Sequence, residues 1–305
     1  MVKRVRLLAD RRYRRREGAF VVQGIQPVWQ AVEAGAAVET LIVAPGLLGR
    51  SPAARRAAEM VAGQEAAGVR VARVSDELFG RLSDREGPTG LAAIVRGRLQ
   101  PLSELPAGPR SVFVVLHEIG NPGNLGTIIR TANAAGAAGV VLVGPGTDPF
   151  DPVAVRASMG ALFGLPVVQA REAGEFFAWA GDRGVTVITT SARAAVSFWD
   201  ASYPRPLALL LGAEGSGLPA EVLARGDICV RIPMVGTAES LNLAVAAGLL
   251  LYEAQRAGGG DPGGDGLDPA RDGLDPAWGG GAGRGEPRPG GIGPGLAPSG
   301  GQQPS

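Results

Sequence analysis

Cysteine and histidine are almost missing from this 305-residue chain, with Cys229 and His117 the single representatives of their types. One cysteine excludes a disulfide framework and a cysteine metal cluster. One histidine removes the usual partner ligands for zinc, so no metal is expected. Cys229 reads as a small apolar filler in a strand. Long apolar runs are lacking too: no stretch is long enough to span a bilayer, and no apolar signal core or small-residue cleavage site follows the basic N-terminus. A cytoplasmic protein without a membrane partner is therefore expected. Net charge is only +1, which argues against a broadly basic polyanion binder.

What charge there is lies unevenly. Lys3, Arg4, Arg6, Arg11, Arg12, Arg14, Arg15 and Arg16 crowd the start of the chain. Clustered guanidinium groups displace counterions from a polyanion, so Arg11, Arg12, Arg14, Arg15 and Arg16 are candidate RNA contacts. The same charges would equally suit a solvated arm. The length exceeds an ordinary single domain and implies two. Three prolines in "GRLQPLSELPAGPR", residues 97–110, mark a linker. After Ala257 the chain turns to Gly and Pro with a repeated "GLDPA"; such a tail cannot offset its ordering entropy by burial and is expected to be disordered. The expected organisation is an N-terminal domain over 1–100 with a basic arm, a linker over 101–110, a second domain over 111–257 and a tail over 258–305.

The first unit alternates short strands and helices: "FVVQG", "PVWQAVEAG", "VETLIVA", "RRAAEMVAGQEAAG", "VRVARVS" and "GLAAIVRG". That pattern predicts a small α/β domain. From Ser111 the strands become continuous apolar runs, "VFVVL", "GVVLVG", "LPVVQ", "VTVITT", "LALLLG" and "ICVRIPM". Continuous rather than alternating apolar character predicts a parallel sheet covered by helices on both faces. Ligands bind such sheets beyond the carboxyl ends of the strands, so chemistry is sought in the following loops.

Three of those loops stand out. In "HEIGNPGNLGTIIRTANAAG", Leu125, Ile128, Ile129 and Ala132 form one apolar helical stripe, which leaves Thr127, Arg130 and Asn133 on other faces. Gly123 and Gly126 permit close backbone approach, and Asn121 and Asn124 stand at the helix start, where bare N–H groups favour anions. In "LLLGAEGSGLP" a buried strand runs into a turn with Gly212, Gly215, Gly217 and one carboxylate, Glu214. In "RIPMVGTAESLNLAVAAGLLLYE" a helix is expected to begin near Ser240, capped by its hydroxyl. Asn242, between Leu241 and Leu243, needs partners for both ends of its carboxamide.

"NPGNLGTIIRTA", "LLLGAEGSGLP" and "IPMVGTAESLNLAVA", in this order and at these separations, resemble the three signature motifs of the SpoU/TrmH family of RNA ribose 2′-O-methyltransferases. "GAAGVVLVGPGTDPFDPVAVRASMGALFGLPV" is similar to the family's middle segment, and the first unit to its accessory L30e-like substrate-binding domain. The likeness covers roughly residues 10–256. It implies an α/β fold with a trefoil-knotted, Rossmann-like parallel sheet, a rare exception to unknotted chains. It also implies S-adenosyl-L-methionine as cofactor, an RNA partner and a homodimer whose active site draws on both chains.

The resemblance assigns residues as well. Leu211, Gly212, Gly215, Ile232, Met234 and Leu241 match cofactor-binding positions. Arg130, with Asn124, Glu214, Ser240 and Asn242, matches the active-site set, whose missing hydrogen-bond partners cofactor and RNA are expected to supply. The family's arginine carries a general-base role; a guanidinium yields its proton only with great difficulty, so holding phosphate and stabilising a developing alkoxide is the alternative. Ribosomal RNA is the expected substrate, with transfer RNA second. Two other readings remain at this stage: a knotted RNA-binding protein without chemistry, against which the intact polar set argues, and a nicotinamide enzyme, for which GxGxxG after the first strand is missing.

Overall fold

The computed structural model describes residues 1–49, 51–83 and 87–258. The tail expected to be disordered lies, from residue 259 on, outside the described residues. The basic start of the chain is a helical hairpin rather than an arm, α1 (Val2–Leu7) and α2 (Arg11–Glu17). Its punctuation is local: the Asp10 carboxylate accepts from the Arg12 and Tyr13 N–H groups to cap α2, and Gly18, in the left-handed region, ends it. Val5 and Leu8 anchor the hairpin in a core with Phe79 and Ile94.

Four strands follow: β1 (Ala19–Gln23), β2 (Val38–Val43), β3 (Arg70–Arg73) and β4 (Leu91–Arg96). They form a mixed sheet in the order β1-β4-β2-β3, with only β2 and β3 parallel. Between them lie α3 (Ile25–Glu33), α4 (Pro45–Leu48), α5 (Pro52–Ala66) and α6 (Asp76–Leu82). This is the expected small α/β unit.

The second sheet contains β5 (Gln100–Pro101), β6 (Val112–His117), β7 (Gly139–Val143), β8 (Val167–Ala170), β9 (Thr186–Thr190), β10 (Val196–Ser197), β11 (Leu207–Leu211) and β12 (Ile228–Arg231). The order is β10-β12-β9-β11-β6-β7-β8-β5, all pairs parallel. Alternate residues of each strand feed opposite faces. Val112, Val114, Leu116, Leu207, Leu209 and Leu211 pack with α7 (Pro122–Ala134), α8 (Pro152–Ala157) and α11 (Leu243–Ala257). Phe113, Val115, Ala208 and Leu210 pack with α9 (Ala173–Asp182) and α10 (Ala220–Leu223). Burial on both faces is why these strands read as unbroken apolar runs.

One expectation needs correction. Residues 97–110 are no free spacer, because β5 pairs with β8 and Leu102 and Leu105 are fully buried in the second face's core. At the other edge, β12 is separated from β11 by β9, yet α11 packs on β11, β6 and α7. Residues 232–242 carry the chain back across the sheet to reach that place.

Candidate active site

The first signature loop forms as its residues dictate. Asn121 caps α7, its side-chain oxygen accepting from the Asn124 N–H at 3.0 Å, and Pro122 occupies the first turn. Leu125, Ile128, Ile129 and Ala132 are buried, while Thr127, Arg130 and Asn133 face outward. Gly126 is also buried: a Cβ there would collide with the Ala154 carbonyl of α8. Its close approach therefore serves helix packing, not a ligand. Arg130 is exposed and has no hydrogen bond or ion pair with any described residue.

Three side chains, one from each signature stretch, meet at Asn124, six residues before Arg130 on α7. Asn124 Nδ2 donates to Glu214 Oε1, and Asn242 Nδ2 donates to Asn124 Oδ1 at 3.0 Å. Asn242 Oδ1 accepts from the Ala244 and Val245 N–H groups at 2.9 and 3.4 Å. Asn242, and not Ser240, is thus the cap of α11, which starts at Leu243. The expectation that cofactor and RNA would complete the Asn242 carboxamide is also corrected, since the protein itself satisfies both ends. Ser240 sits two residues before the cap, exposed and outside this network. Glu214 is held out by a turn in which the Gly217 N–H donates to the Ala213 carbonyl at 3.0 Å. That turn needs Gly212, where a Cβ would strike the backbone of Gly217 and Leu218, and Gly215 at φ 88°.

The residues matched to cofactor binding differ in exposure. Leu211 and Gly212 are buried, Ile232 is half-buried, Gly215 is exposed, and Met234 and Leu241 are each 36% exposed. No backbone group of residues 234–241 is bonded to another backbone group of the described chain. Unpaired N–H and C=O groups beside exposed Met234, Val235 and Leu241 match a flat ligand with hydrogen-bonding edges and apolar faces.

The basic segment divides. Arg14 is only 4% exposed: its guanidinium lies 2.8 Å from Asp148 and 3.5 Å from Asp151, and donates to the Leu8 and Ala9 carbonyls at 3.1 and 2.7 Å. It is a buried tie between α2 and the catalytic sheet's loops, which corrects its assignment as an RNA contact. Sequence reading carried no signal for Asp148, because its partner lies 134 positions away. Arg16 is exposed, over the Tyr13 ring at 4.6 Å and 3.6 Å from Glu17. Arg11, Arg12 and Arg15 are exposed without an ion pair to a described residue.

Comparison with known proteins identifies the family. Residues 1–93 match the MRM3-like substrate binding domain, and residues 111–252 match the SpoU rRNA Methylase family. A 23S rRNA (uridine(2479)-2′-O)-methyltransferase from Streptomyces viridochromogenes is 34% identical over 82% of this chain and 87% of its own length. The 23S rRNA (guanosine(2553)-2′-O)-methyltransferase RlmP of Bacillus subtilis is 30% identical over 82% of this chain and 94% of its own. The AdoMet-bound rRNA methyltransferase from Sinorhizobium meliloti superposes with a TM-score of 0.75 at 35% identity, over 84% of this chain and 94% of its own. The chain belongs to the SpoU family, as an S-adenosylmethionine-dependent RNA ribose 2′-O-methyltransferase with an MRM3-like substrate-binding domain ahead of its methylase domain. The nicotinamide and non-catalytic readings are thereby set aside. Among the described residues, no His, Cys, Asp and Glu cluster could hold a metal ion, and no helix is long and apolar enough to cross a membrane.

Proposed function

We propose that this enzyme methylates a ribose 2′-hydroxyl of 23S ribosomal RNA, using Arg130, Asn124, Glu214, Ser240 and Asn242. The observation that carries the site assignment is the contrast within it: Asn124, Glu214 and Asn242 bind one another, while Arg130, on the same helix as Asn124, has no hydrogen bond or ion pair with a described residue. An exposed cation with no ion pair to a described residue, carried on the same helix as one end of a preorganised polar junction, suits an anionic substrate.

Bound S-adenosylmethionine supplies the electrophilic methyl group. Leu211, Gly212, Gly215, Ile232, Met234 and Leu241 hold it, with the unpaired backbone of 234–241 meeting its polar edges. Arg130 fixes the phosphate next to the target ribose and stabilises charge developing on O2′ without losing its own proton; as the O2′–CH3 bond forms and the sulfonium S–CH3 bond breaks, the hydroxyl proton passes to water. Asn124, oriented from both ends, holds α7 and hence Arg130 in register with the other two loops. Ser240 contributes a free hydroxyl at the mouth. Arg11, Arg12, Arg15 and Arg16 contact the RNA backbone.

Two relatives named for 23S ribosomal RNA support that target, and since one names a uridine and the other a guanosine, the nucleotide is left open. A homodimer is supported by Val245, Leu249 and Tyr252, an apolar stripe of α11 that is 52%, 43% and 48% exposed beside α7. A trefoil knot through residues 209–247 is supported by the return of 232–242 across β9 and β11. Within this reading, residues 1–100 bind substrate and residues 111–257 carry catalysis, with 101–110 closing the catalytic sheet's edge.

The test is transfer of labelled methyl from S-adenosylmethionine to size-fractionated bacterial RNA, wild type beside Arg130→Ala. The expected label is an alkali-resistant 2′-O-methylnucleotide in 23S RNA, absent with the variant. Label confined to transfer RNA would overturn the target.

A further inference from the structure

A cavity of about 410 Å³ opens between α2 and the carboxyl ends of β6, β7 and β8. None of the residues assigned above to catalysis or to the cofactor lines it. Its size falls among small-ligand pockets, which run from a few hundred to about 1,000 Å³. Its chemistry is divided between rim and wall. Arg11 and Arg15, one turn apart on α2, and Arg98, just after β4, stand on its rim, and none pairs with an acid among the described residues. Below them part of the wall is apolar, where Phe150 stacks on Phe20 with centroids 4.6 Å apart and half-buried Leu99 also lines the cavity, while Thr147 and Asp148, whose carboxylate is paired with Arg14, line another part. Gln169 offers an amide at one edge, held only by a 3.5 Å contact to the Gly144 carbonyl.

The mouth is built. The buried Arg14–Asp148 pair ties α2 to the loop after β7, so the rim arginines are carried on an anchored helix rather than a loose tail. On the inner side, Ile119 lines the cavity two residues before Asn121 caps α7, the helix bearing Asn124 and Arg130.

We infer that this cavity receives one unpaired nucleotide of the RNA substrate, a neighbour of the methylated one. Its phosphate lies among Arg11, Arg15 and Arg98, and its base rests against Phe150 and Leu99. Unpaired positive charge at the rim beside an apolar, aromatic stretch of wall is the division that single-stranded nucleic acid presents to its binders. The inference rests on the assignment to RNA methylation, and not on which RNA is the target or on the role of Arg130.

The full chain is titrated, by fluorescence anisotropy at several salt concentrations, into a short fluorescein-labelled single-stranded RNA of mixed sequence. Arg98→Gln is expected to lower the slope of log affinity against log salt by about 0.7, one phosphate contact on a single strand. Gln169→Trp and Leu99→Trp fill the cavity from two walls without changing charge. Each is expected to weaken binding about ten-fold at unchanged salt slope, the worth of one stacked base. Thermal unfolding and S-adenosylmethionine titration identify the variants that fold. Folded fillers that bind RNA like wild type overturn the proposal and leave the arginines as a general phosphate-binding surface. If RNA binding follows the expectation but no methyl is transferred, the catalytic assignment fails and this one stands.

Discussion

The helical hairpin at the chain start and the junction of the three signature loops both gather polar side chains, and they use them in opposite ways. In the hairpin the arginine that looks like one of a row, Arg14, is consumed by the fold, buried at 4% exposure against Asp148. At the junction the amides and the carboxylate are consumed by one another, while Arg130, further along α7, has no ion pair with a described residue. Residue type therefore does not separate structural from functional groups. Partner accounting does: a charge whose hydrogen bonds all close inside the protein holds structure, and one left open at a preorganised site is available to substrate.

The comparison breaks first at Arg14. Arg14→Met leaves Asp148 buried without its cation and is expected to lower folding stability by about 3–5 kcal/mol. Urea unfolding measures it; a loss under about 1 kcal/mol would make Arg14 an ordinary surface arginine. Arg130→Ala should do the reverse, reducing methyl transfer by about 10²–10³-fold with stability changed by no more than about 0.5 kcal/mol. A cooperative unfolding midpoint shifted as far as that of Arg14→Met would remove the distinction between the two arginines.

The junction itself is sharpened by Asn242→Asp. The variant keeps the oxygen that caps α11 but turns a donor toward Asn124 into a second acceptor, so transfer should fall roughly ten-fold while the midpoint holds. Asn242→Ala should lose about 1 kcal/mol of stability as well. Equal midpoints for the two variants would show that the cap contributes nothing.

The smallest effect concerns Tyr203, another polar group closed inside the protein, whose hydroxyl donates to the Phe198 carbonyl at 2.7 Å. Burial, and then the Glu253 carboxylate, push its pKa from 10.0 up to about 12. The folded state thus favours the protonated phenol. That contribution is complete below pH 10.0 and is lost as pH rises toward about 12. Tyr203→Phe should remove this pH dependence and cost about 1 kcal/mol at neutral pH. An unaltered alkaline profile in the variant would refute the assignment.

Much of this was legible in the chain. The apolar runs of both units became strands, and the spacing of Leu125, Ile128, Ile129 and Ala132 placed Arg130 on the open face of α7. The order of three motifs pointed to the family that comparison then established. What escaped were partnerships. Nothing near Arg14 in sequence announces Asp148, and nothing in "AESLNLAV" says that Asn242 rather than Ser240 caps the helix while also reaching Asn124, 118 positions away. The prolines of residues 97–110 suggested a spacer because proline breaks elements, although Leu102 and Leu105 were free to enter a core.

By itself the sequence determined which segments are strand or helix, since periodicity and turn residues act over a few positions. It also determined, through motif order, the chemistry of the family. Only the tertiary structure decided which arginine is buried and which is open, which side chain caps α11, and that a cavity lies between α2 and the loops of the parallel sheet. Each of those depends on groups far apart in the chain meeting at hydrogen-bond or van der Waals distance, and no local pattern of residues encodes such a distance.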